Sequence, residues 1–250
     1  MLAFEDAGSG RPIVWIHGFP HASAIFEPQI AIPGYRHIRV DLPGFGASPP
    51  PTQELGITDY SQEILEVRDR LDIDRCIFAG ISMGGYILMQ ILRDAPERID
   101  GVIVIDTRER ADSDQGREDR YKTIAEIEKN GTEPIVDSML PKMILSDLRR
   151  PDFRKIMLTA SSAGMIAAQR AMAGRPDSTA TLRALNLPAL VIVGDRDPIT
   201  SVEDARRMRS LIKGSKLVII ENAAHASNFD QPDAFNRAVT EFLGMRFGSN

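Results

Sequence analysis

Gly80-Ile81-Ser82-Met83-Gly84 sets a serine between two glycines, directly behind the apolar run Cys76-Ile77-Phe78-Ala79 and ahead of an apolar-periodic stretch from Tyr86 to Leu92. A strand that reverses this sharply into a helix strains its central residue and brings its flanks against neighbouring backbone, which favours positions lacking a Cβ. Such a turn pushes the serine Oγ out above the sheet, where a nucleophile would stand. A serine hydroxyl at neutral pH attacks a carbonyl poorly until a base takes its proton and a third group holds that base in the right tautomer. The chain must therefore supply a histidine and a carboxylate.

Four histidines are available. His37 opens a strand-like run and His21 a helix-like segment, and both read as structural or solvated; His17 reads as a buried hydrogen-bonding residue that orders its own loop. His225 follows the last strand-like run, in the loop from Asn222 to Phe229, and open α/β sheets gather their reactive groups at such strand ends. It is the leading candidate base. Gly194-Asp195-Arg196-Asp197-Pro198 also trails a strand and puts two carboxylates at the same edge. Asp197, farther round the turn, can reach across to a histidine, whereas Asp195 is better placed to bond nearby backbone. Asp106, just after its own strand, is a further place from which a carboxylate can address the imidazole. Acyl transfer also needs donors for the oxyanion of the tetrahedral intermediate, each typically worth about 3 kcal/mol. His17-Gly18-Phe19-Pro20 follows an early strand in the position of an oxyanion loop, and the backbone N–H groups of Phe19 and Met83 are assigned as those donors.

These groups need a scaffold. Short β-branched runs at Ile13 to Ile16, His37 to Val40, Arg75 to Ala79, Val102 to Ile105, Leu190 to Val193 and Leu217 to Ile220 alternate with longer amphipathic segments, the signature of a mainly parallel sheet flanked by helices. Several are apolar throughout, as strands covered on both faces should be. Tyr60, Ile64, Val67 and Leu71 fall at helical spacing behind Thr58 as an N-cap; Ala205, Met208, Leu211 and Ile212 mark a second helix, and Pro232 opens a last one. From Thr107 to about Arg183 the alternation breaks. This interval has no convincing strand and carries helical patterns around Tyr121 to Glu128, Ile135 to Leu140 and Ile156 to Met172. It reads as a helical cap (107–183) inserted into a core formed by 1–106 and 184–250, with polar hinges at Thr107 to Gln115 and Gly174 to Thr181. Met1 to Gly10 leave room for only a stub, so a full antiparallel N-terminal hairpin is not expected.

The 250 residues carry a net charge of −5 and are 43% hydrophobic, with no basic excess to suggest nucleic acid or an anionic membrane. The single cysteine, Cys76, cannot close an internal disulfide, and its place in a buried strand makes it a packing residue. No secretory signal and no apolar run near the roughly 20 residues of a bilayer span are seen, so the expected location is the cytoplasm, with no membrane partner. The oligomeric state is not legible.

Taken in order, His17-Gly18-Phe19-Pro20, Asp41-Leu42-Pro43-Gly44-Phe45-Gly46-Ala47-Ser48, Gly80 to Gly85, Gly194 to Asp197 and His225 through Gln231-Pro232 resemble the motifs of the α/β-hydrolase superfamily, and the order serine, acid, histidine is similar too. The resemblance spans nearly the whole chain and runs to small serine carboxylesterases and the related enol-lactonases and cofactor-free haloperoxidase-type perhydrolases. It implies a mainly parallel α/β-hydrolase sheet, with the cap inserted after the family's sixth-strand position, and Ser82, Asp197 and His225 as nucleophile, acid and base. No metal or organic cofactor is implied. Two features depart from the pattern: Ala224 precedes His225 where glycine is common, and the N-terminus is short. Serine rather than aspartate at the elbow disfavours dehalogenase and epoxide-hydrolase chemistry. Phe19 and Met83 should wall the pocket. Five of the ten methionines lie in the cap, where Met139 and Met143 are expected to touch substrate while the others pack helices together. Arg108, Arg110, Arg117 and Arg120 stand among acidic neighbours and read as a solvated face. The expected activity is hydrolysis of a small, largely apolar ester; a lactonase or perhydrolase would use the same triad, and a non-catalytic ligand-binding protein on this fold is the alternative from another class.

Overall fold

The computed structural model describes residues 1–248. Among these, seven strands form one sheet: β1 (Phe4–Gly8), β2 (Arg11–Ile16), β3 (Tyr35–Val40), β4 (Cys76–Ile81), β5 (Ile99–Ile105), β6 (Ala189–Gly194) and β7 (Lys216–Ile220), in the order β1-β3-β2-β4-β5-β6-β7. Every neighbouring pair is parallel except β1 with β3. The first ten residues thus hold more than a stub. β1 pairs over its whole length with β3, from Phe4 opposite Val40 to Gly8 opposite Arg36, and makes no hairpin with β2. Its charged Glu5 and Asp6 suit an edge, where like-charged neighbours discourage further strand addition.

The period-2 alternation of the inner strands feeds two cores. Val14, Phe78, Val102 and Val191 point to one face and Ile13, Ile77, Ile103 and Leu190 to the other. The first face is covered by helices α1 (Ile57–Arg70), α2 (Met83–Asp94) and α8 (Val202–Leu211); the second by a 3-10 segment at Ser23–Ala31 and by α10 (Pro232–Phe247). Phe78 and Phe235 are fully buried in these cores, and each such side chain contributes roughly 1.5–3 kcal/mol. β4 and β6 are buried at every position, which is why they read as unbroken apolar runs. Thr58 is not the cap of α1. The helix starts at Ile57 with Gly56 at the cap position, two residues earlier, and the Asp59 carboxylate accepts the Gly56 N–H at 2.7 Å.

Between β5 and β6 lie α3 (Asp114–Asn130), α4 (Glu133–Met143), α5 (Arg150–Met157), α6 (Ser162–Ala173) and α7 (Thr179–Ala184). The apolar spacing from Ile156 to Met172 suggests one helix, but the chain breaks at Leu158 to Ser161. Ser161 caps α6 by accepting the Gly164 N–H at 3.0 Å, and its own N–H and hydroxyl donate to the Gly44 carbonyl at 2.8 and 3.0 Å. After β7, the segment read as a loop contains a short helix, α9 (Ser227–Asp230). No helix among the described residues is long and apolar enough to cross a membrane.

Candidate active site

β4 ends at Ile81 and α2 begins at Met83, leaving Ser82 alone at the turn with φ 53° and ψ −115°. A non-glycine residue held there costs about 1–3 kcal/mol, so the surroundings must over-determine it. They do: the Ser82 N–H donates to the Ile105 carbonyl at 3.0 Å, and Thr107 Oγ1 donates to the Ser82 carbonyl at 2.8 Å. The turn also lies hard against β2, since a Cβ on Gly84 would stand 2.1 Å from the Ile16 carbonyl oxygen. Glycine at that position is a packing requirement.

His225 sits on the turn after β7. Its Nε2 is 2.8 Å from Ser82 Oγ and its Nδ1 is 2.8 Å from Asp197 Oδ2. With Nδ1–H donating to the carboxylate, Nε2 is left to accept the serine proton. Asp197 is held in turn by the N–H groups of Ile199 at 2.8 Å and Thr200 at 3.0 Å and by the Thr200 hydroxyl. Asp195 accepts instead from the Ala223 N–H at 3.2 Å and ties the β6 turn to the histidine loop. Asp106 is fully buried and does not bond the imidazole: it accepts from Gly194 N–H at 2.8 Å, Ser227 N–H at 3.0 Å and Ser227 Oγ at 2.6 Å. The carboxylate at the end of β5 thus locks the ends of the strand and loop that carry the other two groups.

Burial works against a charged imidazole, yet the adjacent Asp197 charge and hydrogen bond outweigh it and hold the His225 pKa above its ordinary 6.5. Burial likewise opposes the Asp197 carboxylate, but His225 and Thr200 keep it below the usual carboxylate range. Asp106 makes no ion pair among the described residues; burial, then the Asp197 charge, push it up to about 7.

The loop after β2 runs beside the serine. A Cβ on Gly18 would meet Ser82 Cβ at 2.8 Å and the Ile81 carbonyl at 2.9 Å, so only glycine lets the two turns approach. His17 orders this loop: Nδ1 donates to the Gly18 carbonyl at 2.8 Å and Nε2 accepts from Leu42 N–H at 2.9 Å, while burial lowers its pKa to about 4. Phe19 follows Gly18 and Met83 follows Ser82; both side chains are buried, and the Phe19 ring meets Phe45 edge-on. His37 is structural, accepting from Trp15 Nε1 at 3.2 Å and donating to the Ile32 carbonyl at 2.9 Å. His21 is neither solvated nor bonded. It is fully buried beside Gly18, and among the described residues neither ring nitrogen has a partner, a cost of about 1–3 kcal/mol per group.

Met143 is fully buried in the core cluster that holds Ala226 and Phe229, and its carbonyl accepts the Ala226 N–H at 2.8 Å, while the half-buried Met139 packs against both cores. The four arginines are paired rather than merely solvated: Arg110 with Asp204, Arg117 with Asp114, Arg120 with Asp112, and Arg108 with the Ile199 carbonyl. Sequence reasoning missed one anchor, Asp230. Its buried carboxylate accepts the N–H groups of Ala224, Leu145 and Ser146, each at 2.9 Å, joining the histidine loop to the segment after α4. Its only sequence signal is its place five residues after His225, within a stretch with no period of its own.

A family model described as the α/β hydrolase fold matches residues 11–232. An AB hydrolase superfamily protein of Bacillus subtilis is 30% identical over 96% of this chain and 94% of its own length. The 3-oxoadipate enol-lactonase 2 of Acinetobacter baylyi is also 30% identical, covering 90% of this chain and 85% of that enzyme. Among solved structures, a thermophilic esterase from Thermogutta terrifontis superposes with a TM-score of 0.94 at 32% identity, over 98% of this chain and 93% of that one.

Proposed function

The chain belongs to the α/β-hydrolase family, and from that premise we propose that it is a serine hydrolase that cleaves small, largely apolar carboxylic esters through an acyl-enzyme. The observation that carries this reading is the continuous line from Ser82 Oγ through His225 to Asp197, 2.8 Å at each link. As Ser82 Oγ attacks the ester carbon, its proton passes to His225 Nε2 and the carbonyl electron pair moves onto oxygen. The N–H groups of Phe19 and Met83 receive that oxyanion. Collapse breaks the bond to the alkoxy oxygen, which takes the proton from Nε2 and leaves as the alcohol. Water then gives a proton to Nε2 and attacks the acyl-enzyme; the second collapse releases the acid and returns the proton to Ser82. Asp197 holds the tautomer throughout and stabilises the imidazolium. The helices of 107–183 serve as a cap over the pocket, with Phe19, Met83, Met139 and Met143 among its apolar wall.

Ser82→Ala is expected to cut turnover of a short-chain aryl ester at least about a thousandfold while the circular dichroism spectrum stays unchanged. An organophosphate adduct should map by mass spectrometry to the peptide containing Ser82. Near-wild-type turnover in the variant, or an adduct elsewhere, refutes the assignment. The identity to the Acinetobacter enol-lactonase favours a lactonase as the second reading. Relative turnover of a lactone and a linear ester of equal carbon count separates the two.

A further inference from the structure

Three of the four histidines have both ring nitrogens engaged: His17 with Gly18 and Leu42, His37 with Trp15 and Ile32, His225 with Ser82 and Asp197. Among the described residues His21 has a partner for neither, although it is fully buried. Its Cε1, the carbon between the two nitrogens, lies 3.3 Å from where a Cβ on Gly18 would stand, and that same point is 2.8 Å from Ser82 Cβ. The edge that carries both nitrogens therefore lies against Gly18, the residue that packs on the Ser82 turn. Elsewhere the ring is bounded by aromatic groups: His17 at 6.0 Å between centroids, and Phe153 of α5 at 5.7 Å, itself packed on Phe229 at 5.3 Å. Burial first, then the neighbouring His17 and His225, hold the His21 pKa well below 6.5, so the ring is neutral and offers one donor and one acceptor.

On the ester-hydrolase reading of this site, we propose that His21 is a substrate-binding residue that selects esters whose acyl chain carries a neutral hydroxyl close to the scissile carbonyl. A hydroxyl both donates and accepts, as a neutral imidazole does, and a neutral ring gives a carboxylate no charge to pair with. A site built to bond a substrate hydroxyl disfavours the analogue that lacks it, because its own buried polar groups are then left unpaired.

The test is the ratio of kcat/KM for ethyl 2-hydroxybutanoate and ethyl 3-hydroxybutanoate to that for ethyl butanoate, with Ser82→Ala as the blank. The wild type should prefer at least one hydroxy ester by about tenfold, one hydrogen bond's worth of discrimination. His21→Phe, which keeps an aromatic ring against Phe153, should lose that preference through a raised KM for the hydroxy ester while ethyl butanoate turnover persists. His21→Gln, which keeps a donor and an acceptor, should retain part of it. If the phenylalanine variant does not melt as a folded protein, His21→Leu takes its place. A ratio unchanged in the apolar variant overturns the proposal and leaves His21 a packing residue. A wild type that hydrolyses ethyl butanoate without preferring either hydroxy ester also overturns it, with the esterase reading intact; one that turns over none of the three esters overturns both.

Discussion

Asp197 and Asp106 are carboxylates buried at the same sheet edge, and their surroundings drive them apart. Asp197 gains His225 and Thr200 and stays ionised; Asp106 meets backbone N–H groups and a serine hydroxyl, and burial lifts it to about 7. One full charge therefore faces the imidazole, and His225 is raised above 6.5. On the proposed mechanism His225 is the base and must be neutral in the free enzyme, so kcat/KM should fall on the acid side with an apparent pKa above 6.5, and Asp197→Asn should move that limb downward while lowering kcat. A pH–rate profile of both proteins checks this, and an acid limb below 6 in the wild type would contradict it. Stability runs the other way for His225: the gain from pairing a charged ring is complete below 6.5 and fades as pH rises through the raised folded value. The gain from Asp197 is present above its ordinary 3.8 and is lost as pH falls through its lowered folded value. At this scale, residue type and position after a strand were enough to bring Ser82, His225 and Asp197 forward. They were not enough for His21, because nothing in a one-dimensional pattern distinguishes a buried unpaired ring from a solvated one.

At the scale of elements, the histidine turn is held from outside as much as from within. Ala226 N–H donates to the Met143 carbonyl at the end of α4, and Asp230 gathers N–H groups from both sides of the junction. Asp230→Ala would leave one buried and two part-buried N–H donors without their acceptor. The expected loss is about 3 kcal/mol, a fall in Tm of roughly 6–12 °C for a chain of this size. Because Ala224 precedes His225, kcat should fall more than KM rises; thermal melts and steady-state kinetics on the purified variant test both. A variant with wild-type Tm and kcat would show that the junction does not hold the loop. Helical spacing was legible for α1, α8 and α10 because each presents one apolar stripe to the sheet. The break between α5 and α6 was not, since it depends on Ser161 finding the Gly44 carbonyl 117 residues away.

Across the whole molecule, the helices inserted between β5 and β6 do not form a core of their own. Ile127, Ile135 and Met165 join the cluster built on Phe78 and Val102, while Val136 and Phe153 join the one built on Ile77 and Ile103. The inserted segment and the sheet should therefore unfold together, and differential scanning calorimetry is expected to give one transition with calorimetric and van't Hoff enthalpies in agreement. Two resolved transitions would make the segment an independent folding unit. The sequence by itself determined the class of fold and the position of the elbow, because strand and helix periods, and the small residues that a tight turn demands, are local constraints written into consecutive residues. Only the tertiary structure decided which carboxylate stands 2.8 Å from His225, how the segment after α4 anchors the histidine turn, and that His21 is buried against Gly18 beside the serine turn. Those outcomes depend on distances between residues far apart in the chain, which are set by how the strands stack and cross.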